Sequence, residues 1–439
     1  MREWQKIRMK ELCDLLNGFA FKSQDYLENS NTFNIRMSNI RPDGKFDSDY
    51  QPRYLPDEYA DKYSRFLLED GDLIIAMTDM ANDPKILGIP TIVKNKGSRN
   101  FLLNQRVGKI TNTNINKITS DFMRYYLMQD RIRIFYKRTA KKGIQININK
   151  ADILSVEIHL PPIEEQQTIA WFLSLVQDAI AQQEQLITLT TELKKALMQK
   201  LFTEGTRGEP QKMTEISLIP ESWDCIKLKD AAESFQYGTS VKCDYEKHGK
   251  PVLRIPNVIG GYVDISDLKY GQPKPNEIES LKLLDGDILF VRTNGTKENS
   301  GRCSMYRGEL GNDCYFASYL IRVRIDKNKL FPAFVDEYTR TDIGISFLSG
   351  QAIRTADGKF NINSGTLQRM LVPQPSLDEQ REIADILFNI DTKINNYLSR
   401  KEQLQDLFRT LLHQLMTAQI GVDDLNLSAL NLEIRGGNE

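Results

Sequence analysis

Apolar residues recur along two stretches of this chain with the spacing of a long helix. Over 376–418, Ile383, Leu387, Ile390, Ile394, Tyr397, Leu404, Phe408, Leu411 and Leu415 follow alternating steps of four and three, a heptad seam broken only at Lys401. Over 161–204, Ile169, Leu173, Val176, Ile180, Ile187, Leu197 and Leu201 hold equivalent places, with Leu186, Leu189 and Leu193 marking a shift of register. Pro161-Pro162 and Gly205 bracket this first helix as start and stop signals. At 1.5 Å per residue each helix is roughly 60 Å long, and a seam of this kind wants a partner helix.

The rest of the chain reads differently. Short apolar runs such as 73–77, 288–291 and 319–323 have the length and β-branched content of strands, interleaved with shorter helical patterns such as 120–136. These predict α/β (α+β) domains of about 150 residues each, in a strand order that periodicity does not fix.

The two halves can be laid over one another. Trp4-Gln5-Lys6-Ile7 matches Trp223-Asp224-Cys225-Ile226, Arg36-Met37-Ser38-Asn39 matches Arg254-Ile255-Pro256-Asn257, and Asp70-Gly71-Asp72 matches Asp285-Gly286-Asp287. Further on, Asn147-Ile148-Asn149 falls on Asn361-Ile362-Asn363, and Glu165-Gln166 with Ile169 falls on Glu379-Gln380 with Ile383. Five anchors in one order mean an internal duplication. The predicted organisation is a first domain (1–160), a long helix (161–204), a turn-rich linker (205–217), a second domain (218–375), a second long helix (376–418) and an acidic tail (419–439).

Composition narrows the function. A chain of 439 residues exceeds what one core usually holds, and 27% charged residues with 40% hydrophobic ones describe an ordinary globular protein. No apolar run is long enough to span a bilayer and the N-terminal stretch is charged, so a cytoplasmic protein is expected. Five cysteines without a CxxC pair, and His159, His248 and His413 far apart in sequence, suggest neither a disulfide framework nor a metal site. The net charge of −1 hides an asymmetry. Residues 1–162 carry 26 Lys+Arg against 20 Asp+Glu, whereas 376–439 carry 6 against 11. A basic domain and an acidic helix suit one part meeting phosphate and another meeting protein, although chance variation between solvated surfaces gives the same totals.

Catalytic motifs are missing: there is no GxxxxGK[ST], HExxH, GxSxG or helix-opening GxGxxG, and Asn82-Asp83-Pro84 fails the tetrapeptide with which amino-methyltransferases grip a flipped base. The Asp-Gly-Asp pairs precede apolar strands and read as turns. What remains suits nucleic acid. Segment 131–143 holds Arg131, Arg133, Lys137, Arg138, Lys141 and Lys142, no acid and two aromatics, enough to neutralise several phosphates; its bland alternative is a solvated helix face. After each Asp-Gly-Asp strand comes a polar stretch, with Thr78 and Asn82 in the first domain and Arg292, Thr293, Asn294 and Lys297 in the second. With Arg36, Asn39, Arg254, Asn257, Arg354 and Lys359 these are the candidate DNA contacts, Arg36 and Arg254 having ion pairing at the core edge as an equal alternative.

At these residues the chain resembles the specificity subunits of type I restriction-modification systems. The resemblance spans nearly the whole length and is strongest at Leu160-Pro161-Pro162-Ile163-Glu164-Glu165-Gln166 and Val372-Pro373-Gln374-Pro375, Leu377-Asp378-Glu379-Gln380, with Leu201-Phe202-Thr203-Glu204-Gly205 and Ile219-Pro220-Glu221-Ser222-Trp223 fitting the family's linker and domain-start patterns. It implies two target-recognition domains in pseudo-two-fold tandem, separated by an antiparallel pair of long helices, and a non-catalytic chain that recognises a bipartite, asymmetric DNA target. It also implies two modification subunits, which bind S-adenosylmethionine and methylate adenine, and optionally two restriction subunits that use ATP and Mg; no cofactor is expected in this chain. The apolar positions Ile169, Leu173, Val176, Ile180, Ile187, Leu197, Ile383, Leu387, Ile390, Ile394, Leu404, Phe408, Leu411 and Leu415 are the expected helix-pair and partner interface. Half-sites about one helical turn apart, ~34 Å, lie within the span of such helices. The rival readings are a free-standing bipartite DNA-binding regulator, the recognition module of a fused restriction enzyme, and a coiled-coil scaffold without DNA affinity; the last leaves a basic globular domain unexplained.

Overall fold

A computed structural model describes residues 4–422 apart from 96, 98 and 142. Lys142 and the acidic tail from Asp423 lie outside the described residues. The chain divides into two compact units, Met1–Glu184 with Ser399–Glu439, and Gln185–Leu398. The divisions fall inside the long helices rather than at the ends of the domains, because each helix buries its end faces in a domain core.

In the first unit a four-stranded antiparallel sheet runs in the order Asp14–Asn17, Val107–Thr111, Leu73–Ala76, Pro90–Ile92. A second sheet orders Tyr54–Leu55, Thr32–Ile35, Asn100–Leu103 and Leu67–Leu68, the middle pair being parallel. The second unit repeats this plan. Its four-stranded sheet runs Ala232–Tyr237, Leu320–Ile325, Ile288–Val291, Cys303–Met305, and its parallel pair is Lys250–Leu253 with Tyr315–Phe316. In both units the strand that begins in the duplicated Trp motif pairs antiparallel with the strand leading into a long helix, Gln5–Arg8 with Glu157–Leu160 and Asp224–Lys227 with Leu371–Gln374.

The Asp-Gly-Asp motifs are turns. Gly71 and Gly286 adopt φ of +87° and +93°, open to glycine at little steric cost, while Asp72 and Asp287 accept from the backbone N–H of Glu69 (2.7 Å) and Leu284 (2.8 Å). Each turn launches a fully buried strand, Leu73–Ala76 or Ile288–Val291. The stretch 205–217 is more structured than a linker: Gln211–Met213 pairs antiparallel with Leu218–Pro220.

The long helices span Ile163–Glu204 and Leu377–Met416. In the first unit Ile169, Leu173, Val176 and Ile180 share a core with Leu411 and Leu415, with Leu404 and Phe408 packed against it. In the second, Ile383 and Leu387 share a core with Met198, Leu201 and Phe202, and Leu197 packs on it. Ile187, Ile390 and Ile394, in the middle of the rods, are half-buried, and Leu186, Leu189 and Leu193 are exposed, as a shifted register leaves them. The interruption at Lys401 is an ion pair, its Nζ lying 3.2 Å from Glu184, which also bonds Lys45.

One joint recurs in both units. Gln166, fully buried, donates to the carbonyls of Lys117 (2.7 Å) and Pro161 (2.9 Å) and accepts from the Thr119 N–H (3.0 Å). Gln380, also fully buried, donates to the carbonyls of Lys329 (3.3 Å) and Pro375 (2.9 Å) and accepts from the Phe331 N–H (2.6 Å). Beside this joint the units diverge. In the first, Arg124 and Tyr125 both donate to Gln177 Oε1 and the Tyr125 ring sits 6.1 Å from Phe408. In the second, Lys194 lies 3.2 Å from Glu337 and 2.6 Å from Asp391, and Arg340 lies 2.8 Å from Glu337 and also pairs with Asp336.

Candidate nucleic-acid interface

The polar stretch after each buried strand is paired with a hairpin that stands at the surface. In the first unit Thr78–Met80 pairs antiparallel with Gln145–Asn147, matching Met80 with Gln145 and Thr78 with Asn147. The Lys141 N–H donates back to the Asn147 carbonyl (3.0 Å), closing a turn over 141–147, and the Ala81 N–H donates to the Ile144 carbonyl (3.2 Å). In the second unit Thr293–Asn294 pairs with Phe360–Asn361, which in turn pairs with Ile353–Arg354. Lys141 and Ile353 are thus equivalent, each facing the Asn of the duplicated motif.

These hairpins carry exposed side chains of unlike chemistry. On the first, Ile144 is 88% exposed and Met80 44% exposed, with exposed Lys137, Arg138 and Lys141 alongside in the chain. The second presents Arg354, exposed like its neighbour Ile353, and Lys359, whose Nζ lies 3.1 Å from Asp357. Asn294 is half-buried, its Oδ1 accepting from the Thr296 N–H (3.1 Å), and Lys297 is exposed. Arg292 lies over the Tyr237 ring at 4.9 Å and donates to the Ser318 carbonyl (3.4 Å), so its guanidinium is held flat rather than free. Thr293 is half-buried within the pairing.

Several predicted contacts are scaffold instead. Asn39 is buried; its Oδ1 accepts from the Arg36 N–H (2.9 Å) and its Nδ2 donates to the carbonyls of Asp47 (2.9 Å) and Tyr50 (3.2 Å). Asn257 repeats this with the Arg254 N–H (2.9 Å) and the carbonyls of Asp264 (2.8 Å) and Asp267 (2.9 Å). Arg36 donates to the Gln51 carbonyl (2.8 Å), and Arg254 pairs with Asp267 (3.0 Å). These four hold loops shut, and a buried amide with both N–H donors engaged inside the fold has none to give a base. Thr78 is likewise buried, donating to Asn147. Asn82 is exposed.

The basic segment is an amphipathic helix, Asp130–Thr139, with Ile132 and Tyr136 buried. Arg131 is tied to Gln129 (3.0 Å) and to the Tyr126 hydroxyl, and Arg133 donates to the Lys85 carbonyl (2.7 Å), so among the described residues the segment's cations without such a tie are Lys137, Arg138 and Lys141. Burial raises the Tyr126 phenol above its ordinary value, keeping the hydroxyl protonated to donate or accept beside Arg131. Composition had directed attention to charge; Ile144, Met80 and Gln145 escaped it because their only signal is an apolar residue directly after Lys-Lys-Gly, visible once the hairpin is built. Among the described residues no group of three or more His, Cys, Asp or Glu is placed to hold a metal ion, and no helix is long and apolar enough to cross a membrane.

Residues 1–191 match the family described as the type I restriction modification DNA specificity domain. The specificity subunit of the type I restriction enzyme EcoKI of Escherichia coli is 24% identical over 438 residues, covering 95% of this chain and 90% of its own length. The chain is similar to type I specificity subunits along most of its length. The family's MjaVIII member from Methanocaldococcus jannaschii is 28% identical over 324 residues, 71% of this chain and 73% of its own. The fold agrees with that of a solved type I S subunit from M. genitalium, at a TM-score of 0.57 and 17% identity over 94% of this chain and 96% of the other. The glutamines of the Glu-Gln pairs that carry the resemblance, Gln166 and Gln380, are the joints described above.

Proposed function

We propose that the chain gives a type I restriction-modification complex its DNA sequence specificity, each unit reading one half of a split, asymmetric target. One observation carries this reading most: two units with one scaffold and one joint present, at equivalent surface hairpins, side chains of different chemistry. A duplicated scaffold gives two equivalent surfaces for identical partners, while unlike hairpins read unlike sequences. The chain acts in the cytoplasm as a non-catalytic member of the complex. Two modification subunits bind S-adenosylmethionine and methylate adenine in the target, and restriction subunits, where present, supply ATP- and Mg-dependent translocation and cleavage.

The untied cations beside the first hairpin supply sequence-independent attraction to phosphate, which makes affinity fall steeply with salt. The hairpin side chains supply discrimination, since base edges are distinguished by hydrogen bonds and apolar contacts in the grooves. Co-expression with the methyltransferase encoded beside this chain, followed by single-molecule sequencing of methylated adenines, tests the reading. A split motif methylated only when both chains are present is expected. Methylation independent of this chain, or none despite a stable complex, overturns it.

A further inference from the structure

The two hairpins differ in what kind of base edge they suit, and the difference is sharpest at Ile144. Among the described residues it is one of the most exposed large apolar side chains. Its carbonyl is fixed by the Ala81 N–H, and the strand partner of its neighbour Gln145 is Met80, which is also exposed. Ile144 thus stands exposed at the tip of a ladder held by main-chain bonds, with Met80 exposed on the paired strand. The one acid in the paired strand, Asp79, is buried and accepts from the backbone N–H of Met80 (2.7 Å) and Leu87 (3.0 Å), so it does not oppose an anionic ligand. The cations of the preceding segment, Lys137, Arg138 and Lys141, favour one.

An exposed apolar side chain on a hairpin that also carries the exposed Lys141 fits DNA better than a protein surface of neutral or basic character. Of the groups in the grooves of a duplex, the thymine 5-methyl is the one that offers an apolar contact. The equivalent hairpin of the second unit has Ile353 at the position of Lys141, and its turn carries Arg354, Asp357 and Lys359, polar groups suited to hydrogen-bonding base edges or phosphates.

We infer that the first unit reads its half-site in part through a thymine methyl seated against Ile144. This rests on the proposed DNA-reading role and goes further by naming the chemical group recognised.

The test uses the full chain assembled with its modification subunits and duplexes carrying the motif mapped by methylation sequencing. Thymines of one half-site at a time are replaced by uracil, which removes only the 5-methyl group. Wild-type complex is expected to lose about fourfold in affinity per contacted methyl in the half-site read by the first unit, the worth of a buried apolar carbon. Ile144→Ala is expected to bind the thymine duplex about as weakly as wild type binds the uracil duplex, and to show no further loss on uracil.

Equal affinity of wild type for thymine and uracil duplexes in both half-sites overturns the inference while leaving the DNA-reading role intact. So does an Ile144→Ala complex that keeps the full uracil penalty, or one that binds modification subunits less tightly with unchanged base preference, which makes the tip a protein contact. Absence of sequence-specific binding to any duplex overturns both.

Discussion

The two units solve one problem, fastening a domain to a long helix, with opposite chemistry. In the shared register Lys194 and Phe408 occupy equivalent places, as do Gln177 and Asp391. The first unit fills them with a neutral amide and an aromatic ring, joined to Arg124 and Tyr125. The second fills them with a charged set in which Lys194 pairs with Glu337 and Asp391, and Arg340 with Glu337 and Asp336. A contact of one cation with neutral groups holds no ion pair to break when a neutral member changes. A buried charged set must be complete, because an ion left without its partner keeps the full cost of desolvation.

The largest expected effect therefore belongs to the second unit. Lys194→Met, which strands the buried Glu337 beside Arg340 alone, should cost about 3 kcal/mol in chemical denaturation of the full chain. The counterpart change in the first unit, Phe408→Met, should cost less than about 1.5 kcal/mol as an apolar exchange of similar volume. Equal losses would break the comparison.

A pH effect follows from the same cluster. Burial lifts the Asp336 carboxyl to about 6, against about 3.9 in an unfolded chain. The folded form holds this proton more tightly, so the group's contribution is fully present below about pH 3.9 and is lost as pH rises through about 6. Wild type measured relative to Asp336→Asn should thus lose stability between pH 4 and 7, by up to ~3 kcal/mol. Arg124 stands at the equivalent position of the first unit, so Arg124→Gln should show no such dependence over that range. A wild-type difference that is flat with pH would remove the proton from the account.

Where the units agree, their responses should agree. Gln166→Ala and Gln380→Ala each strand one backbone N–H and two carbonyls, and each should cost about 2 kcal/mol. A loss confined to one unit would show that the joints only look alike. The smallest effect should come from Ile353→Ala on the second hairpin, where a side chain 66% exposed should change stability by no more than about 0.5 kcal/mol.

Much of this was legible in the amino-acid sequence, for reasons that also mark its limits. The duplication and the long helices are written in positions that must be apolar, such as Ile169, Leu173, Ile383 and Leu387, so periodicity finds them. Asn39 and Asn257 misled because a repeated polar residue looks functional; repetition there preserves a loop, since each amide bonds three main-chain groups. The charged junction of the second unit was invisible for the opposite reason, as its members come from positions 194, 336, 337, 340 and 391, which only the fold brings together. Ile144 has no periodicity to announce it; its meaning lies in being left outside.

The joint has one further consequence. Gln166 and Gln380 bond only to main-chain atoms, and a peptide group is the same whatever side chain it bears. A fastening of that kind is blind to the composition of the domain it holds. Substitutions can accumulate across a domain, or a whole domain can arrive by recombination, without a compensating change in the helix. Inheritance can then alter what is read on DNA while the rest of the assembly goes on recognising the same part.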